Sequence, residues 1–121
     1  MKLVLSEDET EALVDYLDER RTRLATSIVA EVEVGRAVGA AGGGAREEEL
    51  ADRVLGQCMR LALEAPVLAA ARGVEPAALR SLDAIHLASA VYLEPDAMLV
   101  YDRRLADAAR AAGLEVLAPG T

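Results

Sequence analysis

The run Met98-Leu99-Val100-Tyr101 constrains this chain more than any other feature. It is short, continuous and apolar, the mark of a strand covered on both faces. Asp102 follows at once, then a helical pattern over 103–112, then Gly113 and a second apolar run at 114–117. Strand, helix and strand at this spacing read as a βαβ unit, with its strands parallel in a sheet flanked by helices. Asp102 then stands at the C-terminal end of its strand. In open α/β sheets that edge is where ligands bind.

The rest of the chain fits the same class. Residues 1–5 form a short apolar opening, and Ser6-Glu7-Asp8-Glu9 reads as a capping box. Ala12, Leu13, Tyr16 and Leu17 recur at helical spacing and predict a helix ending at Arg20 or Arg21. Leu24-Ala25 reads as a strand end. Thr26-Ser27 can cap a second helix over 27–40, which Gly42-Gly43-Gly44 terminates. A third helix is expected over 46–59 and a small strand over 61–63. Pro66 and Pro76 suit the first turns of two further helices, and Gly73 closes the first of them. Residues 82–93 are almost all apolar, which predicts a helix buried on most sides, stopped by Pro95.

Composition narrows the function classes. At 121 residues the chain is expected to form one domain, 1–121. It has no Phe or Trp, so its core must be aliphatic. One Cys (Cys58) and one His (His86) exclude an internal disulfide and a zinc finger. Three tyrosines are too few for a base-stacking platform. No apolar stretch is long enough to span a bilayer, and the N-terminus turns acidic at once, unlike a signal peptide. A cytoplasmic location is the expectation. The net charge of −8 argues against a passive nucleic-acid binder, which needs a basic stripe. It suits a carboxylate site that meets phosphates through a divalent metal, a surface that docks a basic partner, or plain solubility.

Nucleophilic catalysis finds little support. Any triad or dyad would have to use His86, which lies inside the apolar 82–93 helix and reads as a structural histidine at the core edge. The glycine run lacks the Lys-Ser/Thr of a phosphate loop and reads as a linker. Three acids stand where an apolar pattern would not place a charge. Glu33 lies within the second helix, with the small residues Ala30 and Ala37 on its face. Asp83 opens the buried helix, and Asp102 ends the buried strand. Each also has a plainer reading. Glu33 can pair with Arg36 on a solvent face, Asp83 can serve its helix dipole, and Asp102 can cap the helix after it. Together they offer the oxygen donors a hard divalent cation takes.

The run Ser81-Leu82-Asp83-Ala84-Ile85-His86-Leu87-Ala88-Ser89-Ala90 resembles a hallmark of the PIN-domain ribonucleases, most closely the VapC toxins of bacterial toxin–antitoxin pairs. Leu99 to Ala109, with Tyr101-Asp102-Arg103-Arg104 at its centre, is similar to that family's second signature. Residues 26–37 resemble the segment bearing its helical glutamate, in a register that selects Glu33 over Glu31. Residues 113–117 resemble its last strand. The chain departs from the family at its start. Met1-Lys2-Leu3-Val4-Leu5 looks like the middle of a family phrase that follows a first strand and its aspartate, so that strand is expected to be missing. Val100 stands where the family often has Thr.

The resemblance implies a PIN-like three-layer α/β fold, a parallel sheet flanked by helices. It implies a metal-dependent endoribonuclease, with Mg2+ or Mn2+ on Asp83, Asp102 and Glu33, acting on RNA through metal-activated water. Arg36 and Arg103 are candidates for phosphate contact. A VapB-like antitoxin and a second copy of the chain are the implied partners, with helices 6–21 and 27–40 forming the antitoxin groove. The other expectation is a non-catalytic module of the same fold that binds antitoxin and dimerises. A generic α/β domain without catalysis is the third.

Overall fold

A computed structural model describes residues 8–20 and 22–121. The chain divides into two compact units, one running to Arg60 and including Pro119–Thr121, the other Leu61–Ala118.

The first unit begins with α1 (Thr10–Arg20), which buries Leu13 and ends where the apolar spacing ends. The proposed capping serine, Ser6, lies outside the described residues. The Arg20 guanidinium sits over the Tyr16 ring, 4.1 Å from its centroid. The next element, β1 (Ala25–Ser27), takes up Thr26 and Ser27, which were expected to cap the second helix. Ser27 is drawn into the strand and is only 1% exposed, so the helix starts later. Its hydroxyl still helps, accepting from the Val29 N–H at 3.3 Å across the turn that leads into α2 (Ala30–Ala40).

The turn between α2 and α3 (Ala45–Gly56) is tight because Gly43 has no side chain. A Cβ there would lie 2.6 Å from Cγ1 of Val38, which is itself fully buried. Val38 and Ala51 form the core between the two helices, with Val34 and Val54 packed against them. The Gly44 N–H donates to Glu47 Oε2 at 3.0 Å, closing the first turn of α3. This helix stops three residues short of the expected Met59. The Gln57 and Cys58 N–H groups turn back to Val54 and Leu55, and the Met59 N–H reaches the Leu24 carbonyl at 2.9 Å instead. That bond opens β2 (Met59–Leu61), which pairs with β1 and begins two residues before the expected strand.

The second unit opens with α4 (Ala65–Arg72), which has Pro66 in its first turn and Gly73 as its C-cap, as the sequence predicts. Pro76 does not begin a helix. The Leu79 N–H bonds the Pro76 carbonyl at 2.9 Å to close a turn, and Arg80 is extended (ψ 146°). α5 (Ser81–Leu93) starts only after it and ends at Glu94, whose φ of 51° is left-handed. This helix is not buried on most sides. Ala84, Leu87, Ala88 and Ser89 make its buried face, while Val91 and Tyr92 are exposed. Its apolar length exceeds what α4 and the core cover.

The βαβ unit is observed. Met98–Leu99 (β3) and Val116–Leu117 (β4) pair in parallel, Met98 opposite Val116, with α6 (Arg103–Ala111) between them in the chain. Val100 extends the ladder by donating to the Leu117 carbonyl at 3.1 Å. Leu87 of α5, Val100, and Leu105, Ala106, Ala108 and Ala109 of α6 form one core cluster. The α/β class is as expected, and among the described residues the strands form two sheets of two strands each. No described helix is long and apolar enough to cross a membrane.

Candidate active site

Asp102 is the N-cap of α6. Its Oδ1 accepts from the Leu105 N–H at 2.9 Å, the bond that satisfies an orphan donor of the first turn. The residue is exposed, and its Oδ2 makes no hydrogen bond among the described residues. The cap therefore uses one oxygen and leaves the candidate role open to the other.

Asp83 is half-buried in the first turn of α5, which has no side-chain N-cap bond. The helices that carry the two aspartates share one core cluster. Leu87, one helical turn beyond Asp83, shares a core cluster with Val100 and Leu105, which flank Asp102 on either side. Both carboxylates thus stand at helix N-terminal ends, where the backbone dipole favours negative charge. His86 is half-buried on α5 and is engaged by its surroundings, which agrees with a structural histidine.

Glu33 lies in the first turn of α2, half-buried and engaged, within the other unit. Arg36 on α2 and Arg103 at the start of α6 are exposed. Sequence reasoning missed the partner of the neighbouring acid, Glu31. Arg60 Nη1 of β2 donates to Glu31 Oε1 at 2.6 Å, across 29 residues of sequence. No local pattern announces a contact at that separation.

No group of three or more His, Cys, Asp or Glu side chains that could hold a metal ion forms among the described residues. What the second unit offers is two carboxylates with one oxygen of Asp102 spare. That donor chemistry fits Mg2+, which binds through one or two carboxylates and fills its sphere with waters and substrate phosphate oxygens.

Comparison with known proteins gives the lineage. The PIN-domain family profile matches residues 1–111. Ribonuclease VapC35 of Mycobacterium tuberculosis (strain ATCC 25618 / H37Rv) is 41% identical over 127 residues, covering 99% of this chain and 91% of the relative. Ribonuclease VapC46 of the same strain is 40% identical over 121 residues, covering 98% and 91%. Ribonuclease VapC47 of Mycobacterium tuberculosis (strain CDC 1551 / Oshkosh) is 38% identical over 124 residues, covering 98% and 90%. No solved structure gives a significant match. The motifs at 81–90 and 99–109, the βαβ unit that carries Asp102 and these near full-length identities agree: the chain belongs to the PIN-domain family, alongside the VapC ribonucleases.

Proposed function

We propose that this chain is a metal-dependent endoribonuclease toxin of the VapC type, folded as one PIN-like domain. What supports the reading is that Asp83 and Asp102 each stand at the start of a helix, α5 and α6, and that Leu87 and Leu105 of those helices share one core cluster. Family membership gives the pair its chemistry, since the relatives are named ribonucleases.

Asp83 and the free oxygen of Asp102 are the ligands for Mg2+ or Mn2+, and Glu33 is the third acid of the set. A divalent cation held there supplies water of lowered pKa and offsets charge building on the phosphate. The cap bond to Leu105 holds the Asp102 carboxylate in one orientation, so the chain bears little cost of ordering it when RNA arrives. Arg103, the residue after Asp102, and Arg36, one turn beyond Glu33, contact phosphate in this reading. Without a cation the −8 chain repels RNA, so binding as well as cleavage depends on metal. A cytoplasmic location and a homodimer belong to the same proposal.

The test is cleavage of labelled RNA by the purified chain in Mg2+, in Mn2+ and in EDTA. Cleavage that EDTA stops and either cation restores is the expected result. Cleavage that persists in EDTA would sink the metal reading.

The second reading, a docking module for a VapB-like antitoxin, has its own observation. The first unit holds an open cleft of about 700 Å3. Val14 and Leu17 of α1, Leu24, Val54 of α3 and Met59 of β2 give it an apolar floor, with Asp18 and Arg23 beside them. In this reading α1 and α3 line the docking cleft. An antitoxin segment with apolar side chains and a basic residue for Asp18 suits this cleft. Antitoxin binding by a chain inactive in Mg2+ and in Mn2+ would favour the module.

A further inference from the structure

Arg60 and Glu31 form a contact that the acidic site does not itself require. The pair is short, 2.6 Å, and both side chains are partly exposed, at 39% and 42%. Ion pairs so exposed add little to stability. The contact is nonetheless a short charge-assisted bond that links two elements far apart in the sequence.

The surroundings show what is being fixed. β2 is pinned to the chain before β1 by the Met59 N–H on the Leu24 carbonyl, 2.9 Å. β1 passes through the Ile28-Val29 turn into α2, whose first turn carries both Glu31 and Glu33. The start of that helix is held locally: the Ser27 hydroxyl accepts from the Val29 N–H, and the Glu31, Val32 and Glu33 N–H groups bond the Ile28 and Val29 carbonyls, while Val29 itself offers no side-chain bond. The Arg60–Glu31 bond is a strut from the strand to this first turn.

Glu33 is two residues past Glu31, so it points to a different side of the helix. Arg60 acts on Glu33 through the helix and not by neutralising it. We infer that Arg60 is a positioning residue: by holding Glu31 it sets the rotation of the first turn of α2, and with it the direction of the Glu33 carboxylate. The inference rests on the reading of Glu33 as an acid of the active site. Misplacement of a reacting group by about 1 Å can cost around a hundredfold in rate, which is why a weak strut can matter.

The test compares Arg60→Met, Glu31→Gln, the double variant Glu31→Gln/Arg60→Met, and the exchanged pair Glu31→Arg/Arg60→Glu, with Glu33→Gln alongside. The readouts are kcat and KM for RNA cleavage, Mn2+ affinity by calorimetry, and the thermal midpoint. Each single variant should lose about tenfold in kcat, with KM within about twofold and Mn2+ bound several-fold more weakly. The double variant should be no worse than either single one, because both act through one contact. The exchanged pair should regain most of the loss. Full kcat in the single variants while Glu33→Gln is inactive overturns the positioning role and leaves the site reading intact. A rise in KM alone overturns it in favour of a direct RNA contact. A loss of kcat matched by a collapse of the thermal midpoint, with no recovery in the exchanged pair, overturns it in favour of a structural role. Full activity in Glu33→Gln fails the reading of Glu33 itself, and the inference with it.

Discussion

Asp102 accepts the Leu105 backbone N–H on one carboxylate oxygen at 2.9 Å and leaves the other free of hydrogen bonds among the described residues. Its two roles can be separated by substitution. Asp102→Asn keeps an oxygen for the cap and removes the charge, and Asn caps as well as Asp. The thermal midpoint should hardly move, while metal-dependent cleavage falls by about a hundredfold or more. Asp102→Ala should lose cleavage and also about 1 kcal/mol of stability in urea unfolding. Equal unfolding curves for the two variants would contradict the cap.

The α2–α3 turn gives a stability prediction. Gly43→Ala places a methyl 2.6 Å from Val38 Cγ1 and 3.0 Å from the Val38 carbonyl oxygen. Val38 is completely buried and cannot step aside. The variant should be less stable by about 1–3 kcal/mol, the usual range for overpacking. Gly39→Ala, with open space at its Cβ, is the control and should lose nothing. Urea midpoints that coincide for the two would refute the packing described for the turn.

Cys58 reports on Arg60 without any assay of activity. Burial pushes its thiol up from the ordinary cysteine range, and the nearby Arg60 charge pulls it part of the way back. The thiolate is the form that alkylates. A raised pKa means the folded protein reaches half-maximal alkylation at a higher pH than the unfolded chain. Arg60→Met removes the opposing charge, so its profile should move higher still. A folded profile at or below the unfolded one would contradict the burial, and an unshifted Arg60→Met profile the charge effect.

How much was legible in the sequence depended on how local the signal was. The Met98–Tyr101 run, the cap at Asp102 and the stop at Gly113 lie within a few residues of the elements they define, and β3, α6 and β4 appear where they indicate. Pro66 and Gly73 bracket α4 for the same reason. Thr26-Ser27 misled because a capping signal and a short buried strand look alike until the pairing partner at Met59–Leu61 is known. The apolar length of α5 could not say which face is covered, since that depends on α4 and α6. Asp83 and Asp102 were legible as charges out of pattern. The Arg60–Glu31 strut was not, because only the fold brings those residues together.

In the proposed site, Asp83 carries metal-dependent RNA cleavage. Asp83→Asn changes one oxygen to nitrogen and removes the charge with almost no change in shape. The deciding measurement is its rate of RNA cleavage in saturating Mg2+ beside the parent chain at equal thermal midpoint, with an EDTA arm for both. Asp83→Asn should lose about a hundredfold or more, down to the EDTA level. Cleavage by Asp83→Asn at the parent rate would contradict it.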